Sequence, residues 1–111
     1  LLSKYFGSNT RNCNICFIGH THSPGIFSTD GVYSVDDDSK FALGSGKSFF
    51  INPGSVGQPR DSNPCAAFGI LDTDENVFEQ VRMKYPVEKA AKRVIEAGLP
   101  QFLAERLALG K

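Results

Sequence analysis

Residues 16–25 read CFIGHTHSPG, and this stretch holds both histidines of the chain, His20 and His22, one residue apart. Just upstream, NICFI is a short apolar run closed by Gly19, the pattern of a buried strand over 14–19. Glycine adopts backbone conformations closed to other residues, so the chain can turn sharply at Gly19 and project His20 and His22 from a loop anchored by the strand. In extended geometry positions i and i+2 share a face. Neutral imidazole is the commonest side-chain ligand of transition metals, so two on one face either chelate one ion or serve one ion each of a pair about 3.5 to 4 Å apart. Pro24 and Gly25 stiffen the exit. A bare H-x-H is more often a surface pair without a role. Here it follows a buried strand and lies upstream of a second strand ending in an Asn-Pro-Gly loop, and that context favours metal.

Outward from this stretch the chain reads mostly as strands, then helix. GIFSTDGVYSV alternates across Asp30-Gly31, a strong short hairpin signal. DDDSKFALGSG is polar and glycine-rich and reads as a loop or a ragged extension of that hairpin. KSFFIN is a β-rich run ending on NPGSVGQPRD, a rigid loop punctuated by Pro53, Gly54, Gly57 and Pro59. CAAFGILD and NVFEQVRM form a further hairpin across TDE. In the second of these, Val77, Glu79, Val81 and Met83 face one way and Phe78, Gln80 and Arg82 the other, and both rows carry apolar residues, so the pattern leaves the core side open. From Pro86 the period becomes helical. Val87, Ala91, Val94 and Ile95 form one stripe between Pro86 and a stop at Gly98, and Leu103 and Leu107 stand one turn apart between Pro100 and Gly110.

Cys13 and Cys16 form a C-x-x-C, which raises a redox pair or a zinc knuckle completed by His20 and His22. On a strand, residues i and i+3 point to opposite faces, so the two sulfurs diverge, and buried, inert thiols are the expectation. Asp36, Asp37 and Asp38 read as a solvated turn, because nothing in the sequence fixes three repelling carboxylates around an ion.

The composition excludes several classes of function. The chain has 111 residues, 41% hydrophobic and 22% charged, with a formal net charge of zero, the balance of an ordinary globular domain or a piece of one. No basic cluster offers a nucleic-acid patch or an anionic-membrane footprint. No apolar stretch approaches the roughly 20 residues of a membrane span, and the N-terminus lacks a signal-peptide pattern, so a cytoplasmic location is the default expectation. The chain opens at Leu1 with its only methionine at Met83, as expected of a fragment.

GHTH after an apolar strand, followed by FFINPGSVGQPRD and the ending YPVEKAAKRVIEAGLPQFLAERLALGK, resembles the C-terminal part of a calcineurin-like metallophosphoesterase, in the branch of small phosphodiesterases and diadenosine tetraphosphatase-related proteins. The resemblance implies an α/β (α+β) chain. It would be the C-terminal half of a four-layer α/β/β/α sandwich, strands and hairpins followed by C-terminal helices, with residues 1–111 forming part of a single domain. It implies metal-dependent hydrolysis of phosphoester bonds by a dinuclear centre and a metal-activated hydroxide, with His20 and His22 as ligands of different ions. Imidazole suits Mn, Fe, Ni or Zn, so two divalent ions of open identity are the implied cofactors. The family's other ligand motifs, D-x-H, G-D-x-x and G-N-H-D or G-N-H-E, do not occur here, so the partner that completes the site is the missing N-terminal half. An uncovered half-core also makes a homo-oligomer a candidate state.

Arg60 is a candidate contact for substrate phosphate, because guanidinium matches phosphate bidentately, with a surface ion pair to a neighbouring acid as the alternative. Asn52 is read as bracing the site loop through its amide rather than ligating. The alternative function is a non-catalytic protein-binding scaffold on the same fold, like the retromer coat subunit.

Overall fold

A computed structural model describes residues 14–111 of the chain. Cys13, and with it the C-x-x-C pair, lies outside the described residues. The architecture is mixed α+β: two sheets followed by two C-terminal helices. One sheet has the order β1-β5-β2-β3, from β1 (Ile15–Phe17), β2 (Gly25–Ser28), β3 (Gly31–Tyr33) and β5 (Phe49–Asn52). The other has the order β4-β7-β6, from β4 (Lys40–Ala42), β6 (Ala66–Asp72) and β7 (Val77–Met83).

The core lies where the sheets face each other. Phe49 and Ile51 alternate on β5 with Ile26 beside them on β2, and they meet Phe78 of β7 and Leu43 in one buried cluster, with Phe41 and Leu71 packed against it. Ring contacts bridge the two layers, Phe17 with Phe78 at 6.2 Å and Phe41 with Phe49 at 6.1 Å between centroids. On β7 the row of Phe78, Gln80 and Arg82 faces inward, which settles the side that the alternation left open: Phe78 and Gln80 are fully buried. Opposite them, Gly69 of β6 leaves the space that the Phe78 ring fills, since a Cβ there would lie 2.2 Å from Cε2 of that ring.

The pairing of β1 with β5 is the feature that builds the site. The two strands are parallel, with Phe17 opposite Ile51, so the segments that follow them leave from the same end of the sheet. β2 lies on the other flank of β5, antiparallel, with Gly25 opposite Asn52. The histidine loop, running from β1 to β2, therefore crosses directly over the end of β5.

Three expectations need correction. DDDSKFALGSG is not simply a loop, since it contains β4, whose Phe41 pairs with Phe78. The hairpin turn falls at Thr29–Asp30, one residue earlier than read, with Gly31 opening β3. Cys16 and Cys65 are free thiols, but they are half-buried rather than buried.

The helices begin and end as their proline and glycine punctuation predicts. α1 (Val87–Glu96) follows Pro86, and α2 (Gln101–Leu109) runs from Pro100 to Gly110 in the left-handed conformation. α2 buries Ala104 and Leu107, whereas α1 buries no residue and its Ile95 stays 54% exposed. No helix among the described residues is long and apolar enough to cross a membrane.

Candidate functional site

The histidine loop is bent, not extended. His20 has φ 77° and His22 φ 60°, both in the left-handed region that residues other than glycine rarely adopt. Thr21 N donates to Gly19 O at 3.0 Å around His20, forming a γ-turn of the rarer, strained kind. The expected shared face at i and i+2 is thus replaced by two successive bends. They leave His20 exposed and His22 half-buried.

Asn52 holds these bends from below. Its side chain is buried, with 2% of the residue exposed, at the end of β5 under the loop. Nδ2 donates to Thr21 Oγ1 at 2.8 Å and to Gly19 O at 3.3 Å, while Oδ1 accepts from Gly54 N at 3.0 Å. One amide therefore joins the loops that follow β1 and β5. Strained backbone persists only where its surroundings over-determine it, and this amide supplies part of that constraint.

The loop after β5 is fixed in turn from the second sheet. Gln80 Nε2 donates to Pro53 O and to Phe68 O, each at 3.1 Å, and Ala67 N donates to Ser55 O at 2.9 Å. Gly54 has φ 87°, and a Cβ there would lie 2.7 Å from that of Ala67 and 2.9 Å from Pro24 Cγ. Only glycine lets this backbone pass so closely between the histidine loop and β6.

His22 is gripped by the far side of the same loop. Its Nδ1 lies 2.8 Å from Gln58 O, and Arg60 N donates to His22 O at 3.1 Å. A carbonyl only accepts, so this contact assigns the proton to Nδ1 and leaves the lone pair on Nε2. Metal-binding histidines are commonly held this way, with the second ring nitrogen donating to a carbonyl. His22 therefore fits a divalent ion in both donor type and tautomer. Among the described residues no group of three or more His, Cys, Asp and Glu side chains is placed to hold a metal.

The Arg60 guanidinium is exposed and leans on its own loop: Nε and Nη2 donate to Gln58 Oε1 at 3.1 and 2.6 Å. The neighbouring acid, Asp61, is engaged elsewhere, pairing with Arg82. Arg82, with 6% of its side chain exposed, also pairs with Asp37 at 2.7 Å and donates to Cys65 O at 3.2 Å, while its backbone N–H meets Asp38 Oδ1 at 2.9 Å. Asp37 is therefore a partner of a buried guanidinium and Asp38 of the same residue's backbone N–H, so the acidic run is not a merely solvated turn. The sequence reading missed Gln58, Gln80 and Arg82. The polar Gln80 and Arg82 in a row shared with Phe78 were the available signal for two of them.

The chain is similar to known proteins in sequence and in fold. Residues 2–76 match the sequence model of the Calcineurin-like phosphoesterase superfamily domain. A crystal structure of a metallophosphoesterase from Sphaerobacter thermophilus superposes with a TM-score of 0.83 at 35% identity, covering 88% of this chain and 42% of that one. An uncharacterised protein of Methanocaldococcus jannaschii is 39% identical over 98 residues, 88% of this chain and 40% of its own length. The chain thus spans about two fifths of the length of these relatives.

Proposed function

The chain belongs to the calcineurin-like phosphoesterase superfamily, and from that premise we propose that it contributes the GHTH part of a two-metal centre that hydrolyses a phosphoester. The observation that carries the reading is the Nδ1 contact of His22 with Gln58 O, which leaves Nε2 as the metal-binding atom. His20, presented by the γ-turn, is the second ligand, to the other ion. Divalent ions bound there supply Lewis-acid polarisation of a phosphoryl oxygen and a hydroxide nucleophile at neutral pH. Two imidazoles fill only part of two coordination spheres, so the proposal includes further ligands from outside the described residues. The fold similarity to a protein described as a metallophosphoesterase supports the enzyme over the protein-binding scaffold.

The chain's own residues do three things in this account. Gln58 O and Asn52 fix where the imidazoles stand. Arg60 offers a cation to the substrate phosphate from the loop that grips His22. The bent loop backbone, braced from β5 and the second sheet, keeps these groups from rearranging as charge develops on the phosphoryl oxygens. Removing an imidazole by His22→Ala or His20→Ala in the whole protein should lower turnover about a hundredfold or more, with weakened binding of added Mn²⁺, since losing a metal ligand exceeds the ten- to hundredfold typical of outer partners. If both variants kept parental turnover and parental Mn²⁺ affinity, the ligand assignment would be wrong.

A further inference from the structure

We infer that Gln58 is a positioning residue that aims the Arg60 guanidinium at the anion held beside His22. The inference rests on the phosphoester reading of the site and adds a residue to it. Gln58 serves the two groups with different atoms: its main-chain carbonyl meets His22 Nδ1, and its side-chain oxygen accepts from Arg60 Nε and Nη2. Its own place does not depend on its side chain, because Gln58 N donates to Ser55 Oγ at 3.0 Å.

A guanidinium carries five N–H donors in a planar fork. With Nε and one N–H of Nη2 engaged by Gln58, the end of the fork formed by Nη1 and the remaining Nη2 proton stays open to a phosphate. The chemistry of the holder matters as much as its position. A carboxylate at 58 would align Arg60 equally well but cancel its charge, whereas a neutral amide aligns it and leaves the full positive charge for the ligand. The nearest acid in sequence, Asp61, is withdrawn into the Arg82 pair, and no carboxylate among the described residues pairs with Arg60. Ordering the long side chain before the anion arrives removes part of the entropy cost of binding.

The test uses the whole protein loaded with Mn²⁺ and inorganic phosphate as the probe in calorimetry. Gln58→Met keeps the size and the main-chain carbonyl but removes the acceptor. It should weaken phosphate binding about fivefold, Arg60→Ala about tenfold or more, and the double variant no further than Arg60→Ala alone, as expected for one charge-assisted contact shared by two residues. Mn²⁺ affinity should stay within about twofold throughout, because His22 keeps its carbonyl partner. In metal-free protein, the Arg60 Nε–H should exchange with solvent more slowly than that of Arg93, and Gln58→Met should abolish the difference. Additive losses in the double variant, an unchanged phosphate affinity in either single variant, or no exchange difference at Arg60 would each overturn the inference. Loss of the phosphoester reading shows separately, as Mn²⁺ affinity that ignores His22→Ala.

Discussion

Where the histidine loop crosses β5, the chain is held by directional contacts, one buried amide tying two loops and a carbonyl on an imidazole, and by a glycine whose missing Cβ would lie within 3 Å of two side chains. The α1–α2 pair at the C-terminal end of the chain is built differently. It buries only Ala104 and Leu107 within its helices and leaves Ile95, Leu99, Phe102 and Leu109 half-exposed or more, at 54, 50, 60 and 55%. Apolar contact is non-directional and tolerates repacking, whereas hydrogen bonds to buried partners tolerate little. The first region should therefore respond sharply to single atoms that the second absorbs.

Two glycines test this directly, because both have positive φ, 87° at Gly54 and 73° at Gly98. A methyl group at Gly98 meets nothing within 4 Å, while at Gly54 it meets Ala67 and Pro24. Gly98→Ala should cost about 1 kcal/mol, the left-handed penalty alone, and Gly54→Ala about 3 kcal/mol once overpacking is added. Urea unfolding with an unchanged denaturant slope reads the difference. Equal costs would erase the contrast between the regions.

Asn52 sharpens it. Asn52→Ala leaves Gly19 O, Thr21 Oγ1 and Gly54 N short of a buried partner and should cost about 2 kcal/mol. Asn52→Asp keeps the acceptor for Gly54 N but turns an acceptor toward Gly19 O, so it should cost at least as much as alanine. Stability near the parent's for the aspartate variant would show that the Nδ2 donor is not what holds the bends.

How much of this was legible in the sequence follows the same division. The elements that announce themselves locally were readable: the GHTH loop by its glycine and proline, the helices by Pro86, Gly98, Pro100 and Gly110, and the bracing role of Asn52 by its place before a Pro-Gly turn. What was missed depends on partners far along the chain. β4 has only three residues and no alternation of its own, and it exists because β7 pairs with it. The acidic run looked solvated because the group that gathers it, Arg82, stands 45 positions beyond Asp37. The bends at His20 and His22 were read as extended because nothing local forces positive φ on histidine. Asn52, 31 positions beyond Thr21, contributes to that constraint.

The smallest expected effect lies at the opposite end of the first sheet. β2 leaves the histidine loop at Gly25 and ends at the Thr29–Asp30 turn, where the Lys47 ammonium stands 2.5 Å from Asp30. That ion pair, foremost among its contacts, lowers the Asp30 carboxyl to about 2. The folded value lies below the unfolded value of 3.8, so the pair adds stability that is fully present above pH 3.8 and is lost as the pH falls through about 2. Lys47 is shifted upward by the same contact, so its share is fully present below 10.5 and is lost only at higher pH. Both groups are well exposed, so salt should screen most of the effect. A carbon-detected NMR titration should place Asp30 near 2 at low salt, and Lys47→Met should return it toward 3.8. The Lys47–Asp30 pair lies at the end of β2 away from the histidine loop and makes no contact with it, so Lys47→Met should leave the His22 Nδ1 proton resonance where it was. Movement of that resonance would mean that the two ends of the sheet are coupled, and the rigidity ascribed to the histidine end would then belong to the sheet as a whole.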